Sequence, residues 1–179
     1  IGDALLIASG AGNSPWTVLS QGVSQISGWS IGVTTFLTSL AVLLFWIPLK
    51  QKPGIGTILN VVLISIAIEV SLAYLPQPDS YALQVVEAGL GILLVGFGSG
   101  LYLIANLGPG PRDGLMTGLQ RVTNLPVARV RTAIEVAVVF FGWLLGGTIG
   151  LGTLMFAFGI GPAVSMGLYV VNYFSTRST

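Results

Sequence analysis

Residues 30–49, 56–75, 81–107 and 152–174 each run for twenty residues or more with at most one charged side chain, Glu69 in the second and Glu87 in the third. About 20 apolar residues of helix cross a bilayer's hydrocarbon core. A helix that is apolar all round needs burial in protein or lipid. Only 7% of this chain is charged, whereas a soluble domain carries roughly a quarter, so there is too little polar surface to face water. Lipid is the solvent, and lipid admits only structures that satisfy their own backbone. The expected fold is an all-α polytopic membrane protein, one membrane domain over residues 1–179.

The same composition removes several function classes. With no cysteine, thiolate and disulfide chemistry are absent, and with no histidine the commonest general base and metal ligand is absent too. No cofactor, metal site or enzyme activity is expected. A net charge of +1 gives no broad basic surface for nucleic acid. No basic n-region of a signal peptide precedes the first apolar run.

Gly108-Pro109-Gly110-Pro111-Arg112-Asp113-Gly114 breaks the chain between two apolar segments, and Gly12-Asn13-Ser14-Pro15-Trp16 is its weaker copy. A shift of 96 positions aligns the two halves without a gap. It matches Gly12/Gly108, Pro15/Pro111, Leu19/Leu115, Gly22/Gly118, Phe45/Phe141 and Gly54-x-Gly56-Thr57 with Gly150-x-Gly152-Thr153. Biased composition would match leucines by chance, but not Pro15 and the Gly-x-Gly-Thr group in one register. Repeat one is expected over 1–75 and repeat two over 81–174. Each holds three transmembrane helices plus a short interfacial or re-entrant helix, at 15–27 and 111–123. The shift lays Ile1–Ala11 on the second half of a spanning helix, so the first helix is expected to begin upstream of Ile1. Remaining spans are expected at 127–146 and 152–174.

Three crossings per repeat invert the second repeat relative to the first, as in many secondary transporters. Basic residues support an orientation. Lys50, Lys52, Arg112, Arg121, Arg129, Arg131 and Arg177 all fall on one side of that topology, and the segments 12–29, 76–80 and 147–151 carry none. The positive-inside rule then puts both termini in the cytoplasm. It also assigns residues 12–29 and Arg112 to opposite boundaries.

The Gly108–Met116 motif, Arg131-x-x-x-Glu135, Gly142-Trp143-x-x-Gly146-Gly147 and the Gly-x-Gly-Thr groups resemble the YczE branch of the YitT/YczE/YyaS bacterial membrane proteins. The resemblance covers essentially the whole chain and implies a bacterial cytoplasmic (inner) membrane protein. It brings no substrate or catalytic residue with it. Thr17 stands where that family often carries an acid.

Arg112 and Asp113 open a short helix whose free N–H groups attract anions. They are candidates for a substrate site, with Trp16 of the first motif, and the alternative is an orientation signal plus a residue favourable to the helix dipole. Glu135 lies in an apolar span with Arg131 at i−4, either a self-neutralising pair or a proton- or cation-coupling carboxylate. Glu69 and Glu87 have no nearby base, and Glu69 is a further candidate for solute or proton passage. Trp16, Trp46 and Trp143 fit interfacial anchoring, and Asn60 and Asn106 fit packing inside a bundle. Anionic lipid headgroups are the partners expected for the arginines, and a homodimer or larger membrane complex is the expected assembly. The leading function is a small transporter or permease whose solute the sequence does not identify, an anion being one candidate. The alternative is a non-transporting subunit or assembly factor, and a lipid-modifying enzyme ranks last for want of a nucleophile–base pair.

Overall fold

The structure, a computed structural model, describes residues 1–175, so Arg177 of the charge count lies outside the described residues. Among them eight helices follow in order: α1 Gly2–Ser9, α2 Pro15–Ser27, α3 Ile31–Trp46, α4 Ile55–Leu72, α5 Tyr81–Ala105, α6 Pro111–Thr123, α7 Val127–Leu144 and α8 Leu151–Ser175. No strand occurs among the described residues. Helix boundaries follow local chemistry. Ser30 and Ser80 cap α3 and α5, their hydroxyls accepting the N–H of Val33 (3.4 Å) and Leu83 (3.3 Å). Asn106 was expected to pack inside a bundle; it is exposed and ends α5 in the left-handed region at φ 48°, a conformation its short polar side chain tolerates.

The chain divides into two compact units that cut across the two sequence repeats. One consists of Ile1–Ser14, Val70–Asn106 and the segment from Thr148 onward, and so holds α1, α5 and α8. Leu6, Ala11, Ala88, Ile92 and Ala163 form its core. Small residues let its helices touch. A Cβ added to Gly2 would lie 2.7 Å from the Gly91 carbonyl, one added to Gly100 would lie 2.8 Å from Gly167, and one added to Gly96 would overlap Ala163. Gly96/Gly100 on α5 and Ala163/Gly167 on α8 are therefore a small-xxx-small seam, the way helices pack where lipid offers no hydrophobic drive.

The other unit consists of Pro15–Glu69 and Leu107–Gly147, carrying α2, α3, most of α4, α6 and α7. Its core is Trp16, Val42 and Leu115, with Leu19, Leu49, Leu119, Ile134 and Val138 packed on it. Helices α2 and α3 are bent by 116° at the Gly28–Ser30 break. A Cβ on Gly142 would come within 2.5 Å of the Leu19 backbone, which brings α7 directly against α2.

Among the described residues three helices are long and apolar enough to cross a membrane: Ile55–Leu72, Tyr81–Ala105 and Leu151–Val171. The bent α2–α3 pair makes a fourth if it counts as one broken span. Two of the spans expected from sequence are not among them. The one at 30–49 stops as a helix at Trp46, and its 16 residues reach about 24 Å against a hydrocarbon core of about 30 Å. The one at 127–146 ends at Leu144 and carries Arg129, Arg131 and Glu135 in its first half.

The α5–α8 seam is testable. Gly96→Leu forces a side chain into Ala163 and should lower the thermal unfolding midpoint in detergent by roughly 5 °C. Gly98→Leu, at a position with nothing within 4 Å, should leave it unchanged. Equal effects in scanning fluorimetry would mean that this seam does not exist.

Candidate functional site

The two Gly-Pro breaks dock in the same way at positions 96 apart. In one unit the Gly152 N–H donates to the Ala11 carbonyl at 2.8 Å; in the other the Gly56 N–H donates to the Leu107 carbonyl at 2.9 Å. Gly12 (φ 119°) and Gly108 (φ 117°) turn the chain at these contacts. A Cβ on Gly12 would sit 2.6 Å from Gly150 N, and one on Gly108 would sit 3.0 Å from Gly54 Cα. Both the backbone angle and the close approach demand glycine. The Gly-x-Gly-Thr groups are helix-start turns, as expected. Thr57 and Thr153 hydroxyls accept the N–H of Gly54 (3.1 Å) and Gly150 (3.3 Å), and Thr57 also donates to the Pro109 carbonyl at 2.7 Å.

Past the second break, α6 begins at Pro111 with Gly110 as N-cap and no capping side chain at that position. Asp113 lies in its first turn, exposed, beside Gly110. The Arg112 guanidinium stands 5.4 Å from the centroid of the Trp16 ring, within cation–π range. Residues 16 and 112 thus touch. They do not lie at opposite water boundaries, as the charge count had placed them. The broken chain explains the difference: α2 and α6 both start at this contact, so their first turns cannot be surface segments on opposite sides.

Of the tryptophans expected at an interface, Trp143 is 57% exposed and free to serve there, but Trp16 (6%) and Trp46 (2%) are buried. The Trp46 indole N–H donates to the Pro111 carbonyl at 3.0 Å, and its ring fills the space a side chain on Gly114 would need. Sequence inspection missed this lock on the start of α6, although Gly114 one turn in was its available signal. Four buried polar atoms in this unit have no hydrogen-bond partner among the described residues: Trp16 Nε1, Ser20 Oγ one turn along α2, Thr35 Oγ1 on α3, and Gln51 Nε2 in the turn after α3. Of these residues, only Trp16 is singled out by the sequence.

Two of the remaining acids also have partners. Arg131 Nε donates to Glu135 Oε1 at 2.8 Å, the pair at i and i+4 along α7. Glu69, on α4, accepts the Gly32 N–H at 3.1 Å and so caps the start of α3. All six candidate residues (Trp16, Glu69, Arg112, Asp113, Arg131 and Glu135) belong to one unit, and Trp16 and Arg112 are the two of them that meet each other from distant stretches of chain.

Apolar helices of membrane-crossing length, joined by breaks whose backbone groups are bonded within the protein, define a helical membrane protein. Residues 1–167 match the model of DUF6198, a family of unknown function, and the chain belongs to that family. An uncharacterized protein of Haemophilus influenzae is 44% identical over 171 residues, covering 96% of this chain and 78% of that protein. The uncharacterized membrane protein YczE of Bacillus subtilis is 32% identical, covering 94% of this chain and 80% of its own. YyaS of the same organism is 26% identical over 87% of this chain and 79% of its own. These agree with the YczE-like resemblance carried by the motifs. No solved structure matches.

Thr57→Val tests the lock at the second break. It strands the Gly54 N–H and the Pro109 carbonyl, and should cost about 2 kcal/mol of stability. Thr57→Ser, which keeps the hydroxyl, should recover most of it. Chemical denaturation of the purified protein reads both.

Proposed function

We propose that this chain is a small transporter or permease for an anionic solute, built from two inverted repeats of three transmembrane helices plus one short re-entrant helix each. The observation that carries the reading is the contact between Trp16 and Arg112. These residues occupy equivalent positions under the 96-residue shift, and a two-fold operation brings a residue onto its own equivalent only at the axis. Gly12 on the start of α8 and Gly108 on the start of α4 repeat the same local docking, each within its own unit, as related halves would. In inverted-repeat transporters the solute site lies near the midplane, at discontinuous helices whose N-termini face anionic groups.

The chemistry at this junction favours an anion. Each of α2 and α6 presents the positive end of its dipole, worth about half a charge. Arg112 adds a guanidinium suited to a carboxylate or oxyanion, and Trp16 adds an indole N–H with no partner among the described residues. The acids read differently. Arg131 neutralises Glu135 and Glu69 holds α3, so both serve the scaffold rather than ion coupling. Lys50, Lys52, Arg121, Arg129 and Arg131 give a cytoplasmic side, with both termini there and the bacterial inner membrane as location. A homodimer is the expected working unit, because one copy has few helices with which to enclose a path.

Two measurements check this. The chain lacks cysteine, so single cysteines at Ile26 and Val122, equivalent and exposed positions near the far ends of α2 and α6, can be labelled cleanly. Membrane-impermeant reagent should reach one from outside and the other only after permeabilisation; labelling from the same side refutes the inverted plan. Reconstituted liposomes should pass an oxyanion or carboxylate, and Arg112→Gln should cut the flux at least tenfold. A protein that carries none of a panel of phosphate, sulfate and carboxylates, and that purifies with a partner at fixed stoichiometry, would be a membrane subunit instead.

A further inference from the structure

The turn between α6 and α7 holds a groove of about 570 Å³ lined by Thr117, Gln120, Arg121, Asn124, Leu125 and Pro126. No acid lines it, and Arg121 is its single charge. The side-chain N–H groups of Gln120, Arg121 and Asn124 make no hydrogen bond or ion pair with the described chain. Arg129, one turn into α7, adds a second exposed cation. The groove is thus lined by donors and positive charge with nothing from the protein to accept them. Its lining also has an apolar part, Leu125, which is 45% exposed, and the exposed Pro126.

The first half of the chain shows what such a place requires. There the helix start equivalent to that of α7 is the start of α3, and the protein supplies its own acceptors. The Ser30 hydroxyl takes the Val33 N–H and the Glu69 carboxylate takes the Gly32 N–H. At the corresponding positions of the second half stand Pro126, which has no side-chain acceptor, and Ser165, which has no carboxylate. Helix α7 accordingly begins at Pro126 with no side-chain cap. One half carries an anion at this point in its own covalent structure; the other has a cationic groove instead.

We infer that the groove at the α6–α7 turn binds the phosphate of an anionic phospholipid, with Arg121 as its counter-ion and Gln120 and Asn124 as hydrogen-bond donors. The N–H groups at the start of α7 complete the phosphate's surroundings, in the place Glu69 takes at α3. A free phosphate would satisfy the donors equally well. Only a lipid also uses Leu125 and Pro126, whose exposed side chains suit the glycerol and upper acyl region beside the headgroup. This site is separate from the Trp16–Arg112 junction, and it stands whether or not the protein transports.

Native mass spectrometry of the full chain in detergent, with phosphatidylglycerol or phosphatidylcholine added, tests it. Wild-type protein should retain phosphatidylglycerol at least tenfold better. Arg121→Gln, at an exposed position where folding is not at stake, should abolish that preference, and Arg121→Lys should keep most of it. Lys52→Gln, which removes an equal charge elsewhere, should change nothing. Equal retention of the two lipids by wild type, or equal loss from Lys52→Gln and Arg121→Gln, overturns the proposal. So does inorganic phosphate, at millimolar concentration, displacing phosphatidylglycerol completely, since the lipid's apolar part would then contribute nothing.

Discussion

In hydrocarbon, an unpaired carbonyl costs several kcal/mol, so every interruption of a helix must be repaired by another part of the protein. This chain interrupts its helices with Gly-Pro sequences at two related places, and each repair is the same bond. Ala11 gives its carbonyl to the Gly152 N–H, and Leu107 gives its carbonyl to the Gly56 N–H. Much of the unusual composition follows. Gly12, Gly54, Gly108 and Gly150 have no side chain because the two backbones meet there, and a Cβ on any of them would fall within about 3 Å of the facing chain. Thr57 and Thr153 turn their hydroxyls back onto the N–H groups three residues earlier, so the helix starts do not leave donors in lipid.

The helices and their breaks were legible in the sequence because proline, glycine and apolar run length act locally. Helices α2 and α6 start and end where Pro15, Pro111 and the shift between halves put them. Span number was less legible. Hydropathy alone does not show that α3 ends at Trp46, where Pro48 follows and the indole is tied to the Pro111 carbonyl 65 residues on. The same contact explains why Trp46 is buried, while Trp16 is buried in the core with Val42 and Leu115. An indole looks alike in sequence whether it meets lipid headgroups or a distant carbonyl. Likewise nothing near Glu69 in the chain indicates its partner, the Gly32 amide 37 residues earlier.

A carboxylate within an apolar helix is expensive unless it is paired or hydrogen-bonded. The two acids that most resembled ion-coupling groups are each given a partner: a guanidinium at i−4 for Glu135, and a helix N-terminus for Glu69. A coupling group must exchange its proton or its ion during a cycle, and a side chain that holds a helix end in place is poorly suited to let go. Arg112 differs. One of its contacts is the face of the Trp16 ring, which attracts a cation without itself neutralising it.

Under the inverted-repeat proposal, the difference between residues 16 and 112 acquires a physical reason. At a two-fold axis a residue faces its own counterpart. Two arginines there would set like charges within a few ångströms in a medium of low dielectric, and repulsion would force the halves apart. Two tryptophans would pack, but would leave a site without charge. A fused repeat can escape this constraint because its two halves mutate separately: one position supplies the cation and the other the ring that tolerates it. The weak identity between halves elsewhere is then unremarkable drift, whereas at this pair divergence is what allows a charged site to sit on the axis at all.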